Sequence, residues 1–186
     1  MTTDLQLERF LKETDCGLAQ RIRVVAADEL AGPLEPGHGR ICNTDVRGGG
    51  GIHWVLFYIT GGKDERGKNI SIVNYFDPLG ECKTSYPNFE KFIKKHDKMV
   101  SNEGYQVQHS DPSISFSNTC GANCALVAHL FCDHPETFQT LADVMEVFDV
   151  SKTTEGTEFN ECQTLVYLST RFKKFSRIFS KLKGCN

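Results

Sequence analysis

Three residues of this chain have the types and settings for nucleophilic chemistry: Cys120, His53 and Asp77. Cys120 and Gly121 close a polar loop that starts at Ser113 and open an apolar run in which Cys124, Val127, Ala128 and Phe131 recur at i, i+3, i+4 and i+7. That spacing predicts a helix with one face on a core, and Ser117 or Asn118 is suited to cap its first turn. A thiol in that turn meets the positive end of the helix dipole, which favours the thiolate. Taken alone, such a cysteine is more often a small core residue. His53 stands at the entrance of the run from Ile52 to Ile59, and Asp77 follows the run from Ile70 to Phe76, each rich in β-branched and aromatic residues. Both runs predict strands, and Asp77-Pro78-Leu79-Gly80 predicts a turn. In an antiparallel hairpin the start of one strand lies beside the end of the next. His53 and Asp77 are therefore expected within hydrogen-bond reach, as a general base and the group that orients it.

Other elements must position these residues. Thr3-Asp4-Leu5-Gln6 has the form of a capping box, and Leu7, Phe10 and Leu11 predict a helix over 4–13 that ends at Cys16-Gly17. Residues 28–40 read as loop from their prolines and glycines. Asn88 is expected to cap a helix running to about Met99, and Tyr105, Val107 and His109 alternate as in a strand. Phe138, Leu141, Val144, Met145 and Phe148 predict a further helix, residues 151–160 a polar loop, and the seam Leu165, Leu168, Phe172, Phe175, Phe179 and Leu182 a basic helix over about 163–183. Gly62 to Asn69 nearly spells a phosphate-binding loop, but it ends in Asn and joins two strands instead of opening a helix.

The segments Gly50-Gly51-Ile52-His53-Trp54, Asp77-Pro78-Leu79-Gly80 and Ser113 to Cys120-Gly121, in that order, resemble the adenain family, the adenovirus-type cysteine endopeptidases, and more distantly the ubiquitin-like-protein proteases. The family pattern is Gly-Gly-x-His-Trp, an acidic residue before Pro-x-Gly, then Gln-Ser-x-x-Ser-x-x-Cys-Gly. The likeness extends to Cys16-Gly17, Asn43-Thr44 and the basic C-terminus, and so covers nearly the whole chain. It implies Cys120 as nucleophile, His53 as general base and Asp77 as the acidic member, with Gly50, Gly51 and Trp54 at the substrate groove. Glycines suit a close approach by an extended substrate backbone. The implied fold is α+β and papain-like with permuted catalytic order, a central, mostly antiparallel sheet being flanked by helices. The implied activity is cleavage of virion precursor proteins at glycine-containing motifs during virion maturation, in the virion and host nucleus.

Two positions depart from the family. Where it has an oxyanion-stabilising glutamine, seven residues before the nucleophile, this chain has Ser113, so Ser113, Gln108 or a backbone N–H is expected in that role. Where it has the cysteine that takes an activating viral peptide in disulfide linkage, eighteen residues before the nucleophile, this chain has Asn102. A viral peptide and DNA remain expected activators, without that covalent link.

The 186 residues, 39% hydrophobic and 24% charged, fit a single domain over 1–186. The N-terminus does not read as a signal peptide, which predicts a soluble, intracellular protein whose eight cysteines are thiols. No membrane contact is expected, and a monomer is. The net charge of −3 hides an asymmetry: residues 171–186 carry Arg171, Lys173, Lys174, Arg177, Lys181 and Lys183 and no acid. That tail is the expected DNA contact. Alternatives from the same residues are a deubiquitinase or ubiquitin-like-protein protease, a non-catalytic virion scaffold, and a zinc module of Cys120, Cys124, Cys132 and His134. The last fits no standard zinc spacing, and no metal or small-molecule cofactor is expected.

Overall fold

The structure, a computed structural model, describes residues 3–13, 17–31, 34–51, 53–96, 98–111 and 119–172. Its five strands, β1 (Ile22–Val25), β2 (Gly39–Asn43), β3 (Trp54–Lys63), β4 (Asn69–Phe76) and β5 (Met99–Ser101), form one sheet in the order β1-β2-β3-β4-β5. The fold is α+β, but the sheet is mixed where a mostly antiparallel one is expected. β2/β3 and β3/β4 are antiparallel, whereas β1/β2 and β4/β5 are parallel. Each parallel pair is joined by a long connection, residues 26–38 and 77–98, as that geometry requires.

β3 is the centre. Trp54 to Ile59 are all buried, because the sheet has a core on each face. Trp54, Leu56 and Tyr58 point into one cluster with Ile41 and Phe76, and Val55, Phe57 and Ile59 into the other with Val73 and Tyr75. The first face is covered by α1 (Asp4–Lys12), α4 (Cys120–Asp133) and α6 (Thr154–Arg171). The second is covered by shorter pieces: Leu30, Leu34, and Phe89 and Phe92 from a 3-10 turn (Pro87–Phe89) and α3 (Glu90–Ile93). α2 (Leu18–Arg21) and α5 (Leu141–Met145) complete the described helices. The capping box at Thr3 forms as expected, Thr3 Oγ1 accepting from Gln6 N at 3.2 Å and Gln6 Oε1 from Thr3 N at 2.9 Å.

Several expectations fail for tertiary reasons. The helix placed from Asn88 to Met99 stops at Ile93, because Met99–Ser101 pairs with Val73–Tyr75 as β5. Asn88 caps nothing; its side chain donates to Thr44 O at 3.1 Å. Residues 105–109 form no strand. The 151–160 loop gives way to helix at Thr154, whose N-cap Thr153 accepts from Gly156 N at 3.0 Å. Among the described residues this helix covers 154–171, starting nine residues before the expected 163, and it ends where Phe172 turns extended, at φ −120° and ψ 102°. The part of the expected helix beyond residue 172 lies outside the described residues, as do all of residues 173–186. Cys42, Cys82, Cys120, Cys124 and Cys132 are free thiols, but Cys162 is disulfide-bonded. Composition cannot signal such pairing, which depends on which thiols the fold brings together. Among the described residues no helix is long and apolar enough to cross a membrane.

Phe57 is the pivot of the second core, its ring 5.1 Å from Tyr75, 5.2 Å from Phe89 and 5.0 Å from Phe92. Phe57→Ala is expected to destabilise the fold by about 3–5 kcal/mol, read from urea unfolding; a loss under about 1 kcal/mol would contradict this packing.

Candidate active site

The hairpin register places Leu56 opposite Phe76, which brings His53, just before β3, beside Asp77, just after β4. His53 Nε2 lies 2.7 Å from Asp77 Oδ1. His53 also shares a hydrogen bond with Cys120, and Nδ1 is the ring nitrogen left to make it. All three sequence-predicted catalytic residues therefore meet, and all are buried: His53 is 7% exposed, Asp77 0% and Cys120 2%. Burial by itself would lower the His53 pKa. The hydrogen bonds to Asp77 and Cys120 and the negative charge of both outweigh it and raise the value to about 9. An imidazolium held between a carboxylate and a sulfur is the setting a thiolate–imidazolium pair requires.

Asp77 is solvated entirely by protein. Oδ1 accepts from His53 and from Leu79 N at 2.8 Å; Oδ2 accepts from Tyr75 OH at 3.1 Å and Tyr86 OH at 3.0 Å. Tyr86 also lies over His53, ring centroids 6.1 Å apart. Asn102, 1% exposed, clamps the Asp77 backbone on both sides: its Oδ1 accepts from Asp77 N and its Nδ2 donates to Asp77 O, each at 2.8 Å. The position expected to differ from the family in activation is thus inside the protein, holding the acidic residue. Sequence reasoning missed these supports. Tyr75 had a signal, since residues 75 and 77 fall on one side of a pleat; Tyr86 had none.

The turn after Asp77 also aims the next segment. Pro78 O accepts from Val107 N at 2.9 Å and Gln108 N at 3.0 Å, and Gly80 O accepts from Gly104 N at 2.8 Å. Gln108 is 3% exposed, and its Oε1 accepts from Thr119 Oγ1 at 3.4 Å, next to Cys120 in the chain. Ser113, the other oxyanion candidate, lies outside the described residues, as do Ser117 and Asn118. The cap of α4 is Thr119, which makes no side-chain cap bond, and the first-turn N–H groups of the helix flank Cys120. Below them runs a buried polar chain. Asn123 Nδ2 donates to Thr119 Oγ1 at 3.4 Å, and Thr164 Oγ1 to Asn123 Oδ1 at 2.8 Å. Glu161 accepts from His109 N at 3.0 Å and hydrogen-bonds Thr119; burial outweighs these bonds and raises its carboxyl to about 8.

The second cysteine of the helix is of a different kind. Cys124 is fully buried, its thiol donates to Trp54 O at 3.4 Å, and burial holds its pKa well above the ordinary value.

Of the residues expected at a groove, Gly50, Gly51 and Trp54, only Trp54 directly follows a triad residue in the chain. Trp54 and Gly51 help line a cavity of about 360 Å³ with Val24, Val46, Arg47 and Asn43, although its lining does not include His53 or Cys120. Gly51 is packed: a Cβ there would clash with Asn43 Oδ1, whereas Gly50 has nothing within 4 Å and leaves a side-chain-free surface. Of the basic residues assigned to DNA, Arg171 pairs with Asp133 at 3.1 Å, and Lys173, Lys174, Arg177, Lys181 and Lys183 lie outside the described residues. The zinc module of Cys120, Cys124, Cys132 and His134 is excluded by distance: α4 has 14 residues, so its ends are about 20 Å apart. No protein-family model matches the chain, and no curated protein matches it.

Gly80 adopts φ +68°, and a Cβ there would lie 2.9 Å from Tyr105 C. Gly80→Ala is expected to cost about 1–3 kcal/mol through the left-handed backbone, with a further loss from the backbone clash. Chemical denaturation measures it; wild-type stability in that variant would refute this role for the turn.

Proposed function

We propose that the chain is a cysteine endopeptidase of the adenain type, with the papain-like, permuted arrangement that the order His53, Asp77, Cys120 implies. The observation that supports it most is His53 bridging Asp77 and Cys120 in a buried setting. In the reaction, the Cys120 thiolate attacks the scissile carbonyl carbon, and the carbonyl oxygen takes up the negative charge. Gln108 Nε2 and the first-turn N–H groups of α4 are the donors for that oxyanion. His53 passes its proton to the leaving amine, the C–N bond breaks, and a thioester on Cys120 remains. His53, now neutral, takes a proton from water; the hydroxide adds to the thioester, and release of the acid returns the thiolate and imidazolium. Asp77 holds the imidazole in one orientation throughout and stabilises its charged form. By the resemblance, the substrates are virion precursor polypeptides cut at glycine-containing motifs. Gly50 offers such a backbone an unobstructed approach.

Turnover of a glycine-containing peptide tests the reading. Cys120→Ala should abolish it, and Gln108→Ala should lower kcat by about 10²–10³; unchanged turnover in Cys120→Ala would end the proposal. The His53 proton is present below about pH 9 and lost above it, so activity should fall as pH rises through that value. Asp77→Asn should move this alkaline limb down, toward the ordinary imidazole value of about 6.5. A limb that stays in place would show that Asp77 does not tune His53.

A further inference from the structure

We propose that His129, Asp133 and His134 form a zinc-type divalent-metal site at the C-terminal end of α4, separate from the peptidase site and independent of that reading. His129 Nε2 and His134 Nε2 each lie 3.5 Å from Asp133 Oδ2, and the three donor atoms lie within 4.8 Å of one another. At 3.5 Å these contacts are longer than good hydrogen bonds. They do match the edge of a tetrahedral site, since metal–ligand bonds of about 2.0–2.2 Å put neighbouring ligand atoms about 3.3–3.5 Å apart. Two edges already have that length. The third closes by movement of His134, whose side chain is 46% exposed at the helix C-cap. Two imidazoles and one carboxylate favour zinc over calcium or magnesium, and three protein donors leave the fourth position to water.

The surroundings suit a ligand set. His129 is 1% exposed, and Tyr167 and Phe172 pack on its ring with centroids 5.9 and 5.0 Å away, an apolar wall that excludes water from one side. His134 contacts Phe138 at 6.4 Å. One group opposes a cation. Arg171 Nη2 lies 3.1 Å from the same Asp133 oxygen. Its side chain is 54% exposed at the end of α6, so it can leave, and it acts as a competitor.

The test is titration of ZnCl2 and CoCl2 into the full chain carrying Cys120→Ala, which removes the thiol beside His53 as a rival site. One equivalent should bind, raising Tm by about 5–10 °C at a hundredfold excess over Kd. The cobalt spectrum should lack thiolate charge transfer. Asp133→Asn and His134→Ala, both at accessible positions, should each weaken binding by at least about 10-fold. Arg171→Gln should tighten it by removing the competing cation. No binding, a thiolate signature, or affinity unchanged in Asp133→Asn and His134→Ala would overturn the site, as would weaker binding in Arg171→Gln.

Discussion

A carboxylate with no access to water must be solvated by the protein, and Asp77 is the group around which this fold meets that demand. Four donors reach its two oxygens: an imidazole, a backbone N–H and two tyrosine hydroxyls. Leaving such a charge short of partners costs several kcal/mol, so each donor has to be held in place by something else. Tyr75 is held by the aromatic cluster around Phe57, Leu79 by the turn, and the Asp77 backbone by Asn102. The stability of the second core and the orientation of His53 are consequently one problem.

The same turn links Asp77 to the segment of Gln108. Pro78 O receives both Val107 and Gln108 backbone N–H groups, so the segment that carries the Gln108 amide is hung from the residue that follows Asp77. On the opposite flank, α6 reaches Thr119, the residue before Cys120, through Thr164 and Asn123. Cys120 therefore sits where a hairpin end, a turn and two helices converge, on a helix buried along its whole length up to Cys132. Rigid elements on every side are what a short-range proton transfer between sulfur and imidazole needs.

How much of this was legible depended on the range of the interactions. The hairpin, its turn and the apolar helix are written in local pattern, and from them the approach of His53 to Asp77 followed, whereas Cys120 was joined to them by the resemblance of the three segments. The two strands before the hairpin were not legible: Ile22–Val25 and Gly39–Asn43 are short, and the second emerges from a stretch rich in Pro and Gly. Met99–Ser101 looked like the tail of a helix because only its pairing with β4 makes it a strand. The start of α6 looked like a loop because its buried face is polar. Thr157, Asn160 and Glu161 bond to Thr153, Asp149 and His109, partners that no periodicity announces. Asn102 could be read only as a missing cysteine, since its clamp on Asp77 spans 25 residues.

The central claim is that Cys120 is a thiol activated by His53. It is tested most directly by mass spectrometry of the protein after brief exposure, near neutral pH, to a short peptide ending in glycine and bearing a thiol-reactive electrophile. The account predicts a single adduct on Cys120, with Cys42 and Cys124 untouched, and its loss in a His53→Ala variant that retains the fold. Labelling that ignores Cys120, or labelling of Cys120 that proceeds at the same rate without His53, would contradict it.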